Sequence, residues 1–473
     1  MSTSATPAPS PSVGDSREFD AAARGALLLA ITSALLWLVV GGVLLLTHTI
    51  QLHTPRFFAT CEWFTFGRMQ AAAETALLYG WVGNAGFAVA FWLLGRLGGT
   101  KPRGLPLATI GTAFWNIGIS TAVVLIFAGN QTGHASLQIP AYVLPILILA
   151  SASMGTAGIL AWADRRQAAT FAAQWYAAAS LFLLPWLLSA AFVFLYVSPD
   201  NGVAQTVFGA WAGQNILTLW VSPLALAILY YLVPRITGRE LPAYSLALGG
   251  FWALIGIGAW TGTRSLAGGP VPVWIPSLGI AATLVLAVHY VSVGLNLREI
   301  FTALRGNLVA QFLALALGAY LICGLLDLGT AFRFSAKYTL FTYVGEAKWM
   351  LLVAGVFTPA AIGALYFAIP RITGKAWVSQ VLIMQHLRVT AIGVLLLVGG
   401  LLVAGAMQAI ILAEPETSFN ELIETLKPWL LATSFGIGLI LLGSTYMVVN
   451  LFFQLKPECD CSCACSSKET HSA

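Results

Sequence analysis

Six charged residues lie in or at the ends of the long apolar stretches of this chain: Arg68, Glu74, Arg264, Asp327, Glu346 and Lys348. A charge within a bilayer costs about 3 kcal/mol on insertion scales, so each marks a function or a partner charge unless it snorkels to the interface. All but Asp327 fall near one predicted side of the membrane. The histidines are His48, His53, His134, His289, His386 and His471. They are too few and too scattered to supply paired imidazole sites of the kind catalytic metals use. Only His289 sits well inside an apolar run, where a lone imidazole is read as a hydrogen-bonded core residue. The cysteines cluster at the end, with Cys459, Cys461, Cys463 and Cys465 in the string C-D-C-S-C-A-C, while Cys61 and Cys323 stand alone. Thiolates at every second residue could share zinc or copper(I). The spacing matches no zinc finger or iron–sulfur pattern, and a reduced, unstructured tail accounts for it equally well.

The elements that must hold these residues are transmembrane. The chain is 58% hydrophobic and 9% charged, against about 25% charged for a soluble domain. A helix needs about 20 apolar residues to cross the hydrocarbon core. Such runs lie near 25–49, 72–97, 105–128, 138–163, 174–197, 206–233, 244–263, 273–296, 307–330, 347–370, 387–412 and 428–454. They are continuous and do not alternate, which excludes a β-barrel reading. The fold predicted is all-α: a polytopic bundle of about twelve transmembrane helices at 25–454. A Ser/Pro/Ala-rich disordered tail precedes it at 1–24, and a Cys-rich cytoplasmic tail follows at 455–473. No cleavable signal is recognised at the N-terminus.

Arg and Lys gather in alternate loops, including Arg96, Lys101, Arg103, Arg165, Arg166, Arg235, Arg239, Arg298, Arg305, Arg371 and Lys375, while the loop before the last helix is acidic. That bias predicts both termini in the cytoplasm. The net charge of +5 is thus topological, and nucleic acid is not an expected partner. Two helix ends repeat: Tyr230-Tyr231-Leu232-Val233-Pro234-Arg235-Ile236-Thr237-Gly238 and Tyr366-Phe367-Ala368-Ile369-Pro370-Arg371-Ile372-Thr373-Gly374. Pro and Gly stop each helix, and its basic residue anchors the end.

Phe66-Gly67-Arg68 followed without a gap by Gly83-Asn84-Ala85, Trp211-Ala212-Gly213-Gln214-Asn215 leading to Tyr230-Tyr231, and Phe251-Trp252-Ala253-Leu254-Ile255 leading to Trp260-Thr261-Gly262 carry a resemblance. The chain resembles subunit I of the haem-copper oxidases, closest to the cbb-type cytochrome c oxidases and more distantly to the nitric oxide reductases. The family would bind two haems and one copper. In its F-G-R-L-R-P-L-H motif the low-spin haem histidine falls here on Ala73. In its W-Y-G-H-N motif the first copper histidine falls on Gln214. In its W-A-G-P-H-H motif the other two fall on Arg264 and Ser265, and the cross-linked tyrosine falls on Gly258. The G-H-V-H pair of helix 10 falls on Lys348 and Met350, or on Glu346 and Lys348 with the alternative anchor at Gly345. The entry to helix 11 survives as Met384-Gln385-His386-Leu387, whose histidine is no metal ligand in the family.

The resemblance therefore implies a cytochrome c oxidase subunit I-like protein of a respiratory electron-transport complex, in a bacterial-type inner membrane, as a non-catalytic paralogue without haem or copper. Its partners would be other membrane subunits, among them a cytochrome c-type haem subunit, and the lipid bilayer. Two alternatives stand: an ion or small-molecule transporter on the same fold, and an active terminal oxidase or nitric oxide reductase with unusual ligands. Emptied metal pockets must be filled or wetted. Arg264 is expected in the copper pocket, hydrogen-bonded to Gln214, and Glu74 and Lys348 are expected to form an ion pair across the low-spin haem pocket.

Overall fold

The computed structural model describes residues 13–99, 102–166, 170–197, 202–414 and 417–456. Cys459, Cys461, Cys463, Cys465 and His471 lie outside the described residues. Among the described residues, twelve helices are long and apolar enough to cross a membrane. In chain order they are α1 (Val13–His53), α2 (Phe66–Gly98), α3 (Leu105–Phe127), α4 (Ala141–Ala163), α5 (Ala172–Val197) and α6 (Val203–Thr237), then α7 (Tyr244–Leu266), α8 (Trp274–Ala303), α9 (Leu308–Gly329), α10 (Tyr343–Thr373), α11 (Gln380–Leu412) and α12 (Phe419–Leu455). An even number of crossings puts the two ends of the described chain on one side, and the α1–α2, α3–α4, α5–α6, α7–α8, α9–α10 and α11–α12 connections on the other.

Three helices form the centre. The most apolar windows of α2, α6 and α10 are 100%, 94% and 89% buried, whereas the other nine lie between 39% and 56%. The outer nine can each turn one face to lipid. The central three cannot, which is why α2 tolerates so many small residues: Ala71, Ala72, Ala73 and Ala76 are completely covered by neighbours. In lipid, helix association rests on close packing rather than on hydrophobic burial, and small residues permit it. Gly80 lies directly against the Trp37 ring of α1, and Gly83 against Trp115 of α3. The repeated helix ends close as their sequence predicts. Gly238 and Gly374 have φ of 67° and 75°, and their amides donate to the carbonyls of Pro234 and Pro370 at 2.9 and 3.0 Å.

Two features depart from the sequence reading. The first helix starts at Val13, inside the segment 1–24 assigned to a disordered tail. The reason is a docking contact that local composition does not reveal. Phe19 and Asp20 are buried, Phe19 stands against Gly95 of α2, and Asp20 accepts a hydrogen bond from Trp92 Nε1 at 3.0 Å and is paired with Arg96. The second is a set of wide, π-helical turns within the spans. They fall at Ala76–Val82 in α2, Ile216–Val221 in α6, Ala253–Ile257 in α7 and Leu351–Phe357 in α10, with a further one ending α5. Such turns cost regular hydrogen bonding and concentrate at functional sites. Here they mark the four helices that carry the candidate positions.

Candidate functional site

At the end of the bundle away from the termini, α6 to α10 enclose a cavity of about 370 Å³. Gln214, Arg264, Ser265 and Lys348 all line it. Four positions spread over more than a hundred residues are thus brought to one space. Gln214 sits ahead of the wide turn of α6, and its Nε2 donates to Thr218 Oγ1 at 3.0 Å. Arg264 and Ser265 are delivered by the tight final turns of α7, Gly258–Leu266, and the Ser265 hydroxyl donates to the Gly262 carbonyl at 2.9 Å. Lys348 is in the opening turns of α10.

The centre of the cavity is a residue that sequence reasoning left apart, Asp327. It lies in the last turn of α9, level with the other charges. One carboxylate oxygen, Oδ1, accepts from Arg264 Nη2 at 2.5 Å and from Lys348 Nζ at 2.7 Å, while Tyr290 donates to Oδ2 at 3.1 Å. Arg264 Nη1 also donates to Thr283 Oγ1 and to the Asp327 carbonyl, and Lys348 donates to Thr330 Oγ1 at 3.1 Å. The three charged side chains are only 11%, 21% and 22% exposed. Two cations therefore share one carboxylate in a largely enclosed site.

This arrangement corrects two expectations. Arg264 turns to Asp327 and Thr283 rather than to Gln214, which is satisfied within its own helix. Lys348 pairs with Asp327, and Glu74 takes other partners. The Glu74 carboxylate accepts from Gln70 Nε2 at 3.1 Å and from Gln138 Nε2 at 3.0 Å, and the neighbouring charge that acts on it is the Glu346 carboxylate, a like charge. The physical reason is helical phase. Residues two apart on a helix point to different sides, so α10 turns Glu346 toward Glu74 and Lys348 toward α9.

The other haem-related positions are closed. Ala73 is fully buried, and Met350 lines a void of about 30 Å³ between α1, α2, α10 and α12. That is room for roughly one water. Gly41 packs on Leu77 and Gly42 on Leu441 around it. The described histidines are placed elsewhere, since none lines the large cavity. Both ring nitrogens of His289 are engaged at 2.7 Å, by the Gly250 carbonyl and the Tyr320 hydroxyl, as expected of a core imidazole. His386 Nδ1 meets Tyr366 at 2.8 Å, and His53 Nε2 meets Ser434 at 3.0 Å. His134, in the loop after α3, is partly buried, and that burial holds its imidazole below its usual pKa.

Comparison with known proteins gives this geometry its context. Residues 25–439 match the family model described as cytochrome c and quinol oxidase polypeptide I. The chain belongs to that family. Among curated members of the oxidase family it is 24% identical to the Cbb3-type cytochrome c oxidase subunit CcoN1 of Stutzerimonas stutzeri, over 88% of this chain and 91% of that one. It is 23% identical to the bacteroid cytochrome c oxidase subunit 1 homolog of Bradyrhizobium diazoefficiens, covering 89% and 80%. Among solved structures it superposes on a chain of a heme-copper terminal oxidase dimer with a TM-score of 0.66, covering 92% and 85% at 14% identity. The protein is thus a cytochrome c oxidase subunit I-like, multi-pass membrane protein with the all-helical haem-copper oxidase fold.

The donor set in the oxidase-family pocket does not suit the family's metals. Gln214, Arg264, Ser265 and Lys348 offer an amide, a guanidinium, a hydroxyl and an ammonium. The guanidinium has no lone pair to give, and it is a fixed cation, which repels a metal ion. Lys348 is committed to Asp327 and Thr330. At Ala73 there is no donor atom at all.

Proposed function

We propose that this chain is a non-catalytic, metal-free member of the oxidase subunit I family, serving as a structural membrane subunit of a respiratory electron-transport complex. The observation that carries the reading is the Arg264–Asp327–Lys348 cluster. Its two cations, both held by Asp327, are residues that the motif resemblance aligns with metal ligands, which supports the reading. The close burial of α2, α6 and α10 supports a frame that holds without cofactors. Redox chemistry then belongs to other chains of the complex, among them a c-type cytochrome. The membrane is a bacterial-type inner membrane with both termini in the cytoplasm, in keeping with the basic loops at that end. Relatives named as oxidase subunits support the expectation of membrane partners.

Oxygen uptake tests the reading. Expressed in a bacterial host deleted for its own terminal oxidases, the chain should leave oxygen consumption with reduced cytochrome c at the empty-vector level. Uptake above that level, sensitive to cyanide and dependent on this chain, would overturn the proposal.

A further inference from the structure

The cluster around Asp327 is not electrically balanced. Arg264 and Lys348 bring two positive charges, Asp327 returns one, and no other acidic residue among the described residues lines the cavity. Neither Glu74 nor Glu346 lines it, and the Glu74 carboxylate is taken up by Gln70 and Gln138. An enclosed surplus charge is costly unless a counter-charge accompanies it. The hydroxyls nearby solvate the cations without balancing them: Thr283 and Thr330 accept from Arg264 and Lys348 but carry no charge. Unused donors remain on the cations themselves. Lys348 uses two of its three N–H bonds within the described chain, and Arg264 leaves its Nε–H without an acceptor there.

A second observation shows a way in. A groove of about 1070 Å³ opens on the same end of the bundle and shares Ser265, Ala336 and Leu340 with the cavity. Among the described residues, its charged lining residues are Arg333 and Lys337, both exposed, on the short helix Arg333–Thr339. Among the described residues, groove and cavity together present four cations and one carboxylate. A passage lined by one sign of charge concentrates the opposite ion and speeds its entry.

We propose that the cavity binds one small monovalent inorganic anion, of the halide or nitrate class, which enters through the Arg333–Lys337 groove and neutralises the Arg264–Asp327–Lys348 cluster. The single surplus charge sets the valence, and the cavity volume excludes large organic anions from complete enclosure. The inference rests on the metal-free reading, since a haem in this space would displace the ion.

The test uses the purified full-length chain in lipid nanodiscs at constant ionic strength, with sodium gluconate exchanged stepwise for sodium nitrate or sodium bromide. Thermal unfolding followed by tryptophan fluorescence should rise and saturate with nitrate and bromide, as expected when a ligand binds only the folded state. Lys348→Met, which removes the surplus charge and keeps the Arg264–Asp327 pair, should abolish the saturating rise. Arg333→Gln with Lys337→Gln should raise the half-saturating concentration severalfold, most strongly at low salt. Identical unfolding in gluconate and nitrate overturns the proposal, as does an unchanged saturation in Lys348→Met. An unaltered half-saturation in the groove variant refutes the route. If Lys348→Met does not fold, bromide anomalous diffraction from wild-type crystals decides, with a peak beside Lys348 expected and its absence contradictory. Iron measured on the same sample separates the two failures. Stoichiometric haem defeats the metal-free reading, whereas no haem and no anion response defeats the anion site alone.

Discussion

Asp327→Asn should lower stability by about 3–5 kcal/mol, the usual cost of removing one partner from a buried ion pair, while Lys348→Met should cost about 1 kcal/mol or less. The asymmetry follows from counting charges at one carboxylate. Without Asp327, Arg264 and Lys348 remain side by side with no opposing charge, at 11% and 22% exposure. Without Lys348, one guanidinium still faces one carboxylate, held by Tyr290 as well. The double variant Asp327→Asn with Lys348→Met should recover part of the loss, since one of two stranded cations is then gone. Unfolding of the lipid-reconstituted protein measures all three. Equal losses for the two single variants would mean that Asp327 needs Lys348 as much as the two cations need Asp327, and the account of a surplus positive charge would fail.

Gly436→Val should be nearly as damaging, at about 3 kcal/mol, the upper end of ordinary overpacking. Gly436 of α12 and Gly393 of α11 face each other so closely that an added Cβ at Gly436 would lie 2.6 Å from both the Gly393 carbonyl oxygen and the Leu397 amide. Those are backbone atoms, and relief requires the helices to part. A substitution two residues on gives the control. Nothing lies within 4 Å of a Cβ at Gly438, so Gly438→Val should change stability by less than about 1 kcal/mol. Equal tolerance at the two positions would show that the α11–α12 contact is looser than the structure has it.

Much of the frame was legible in the sequence because a membrane imposes a simple rule: about 20 consecutive apolar residues per crossing. The P-R-I-T-G helix ends and the Phe66–Ala85 and Trp211–Tyr231 matches were readable for the same reason, as local strings with local consequences. What was missed depends on contacts distant in sequence. Asp327 looked isolated within helix 9, although it lies in the last turn, at the depth of Arg264 and Lys348. Placing every intramembrane charge by depth would have grouped the three. The Glu74–Lys348 pairing failed because it followed helix-level proximity and ignored the phase between Glu346 and Lys348. The docked start of α1 depends on Trp92 and Arg96, more than seventy residues away. The wide turns in α2, α6, α7 and α10 change the backbone without any clear signal in composition.

On the proposed reading, residues unsuited to metal hold the place of the family's redox centre. Its most direct test is a reduced-minus-oxidised absorption spectrum, with iron and copper quantified per chain, on protein expressed with ample haem and copper and purified in mild detergent. The account predicts no Soret or α-band and far less than one iron or copper per chain. Two b-type haem signatures with near-stoichiometric iron and copper would contradict it.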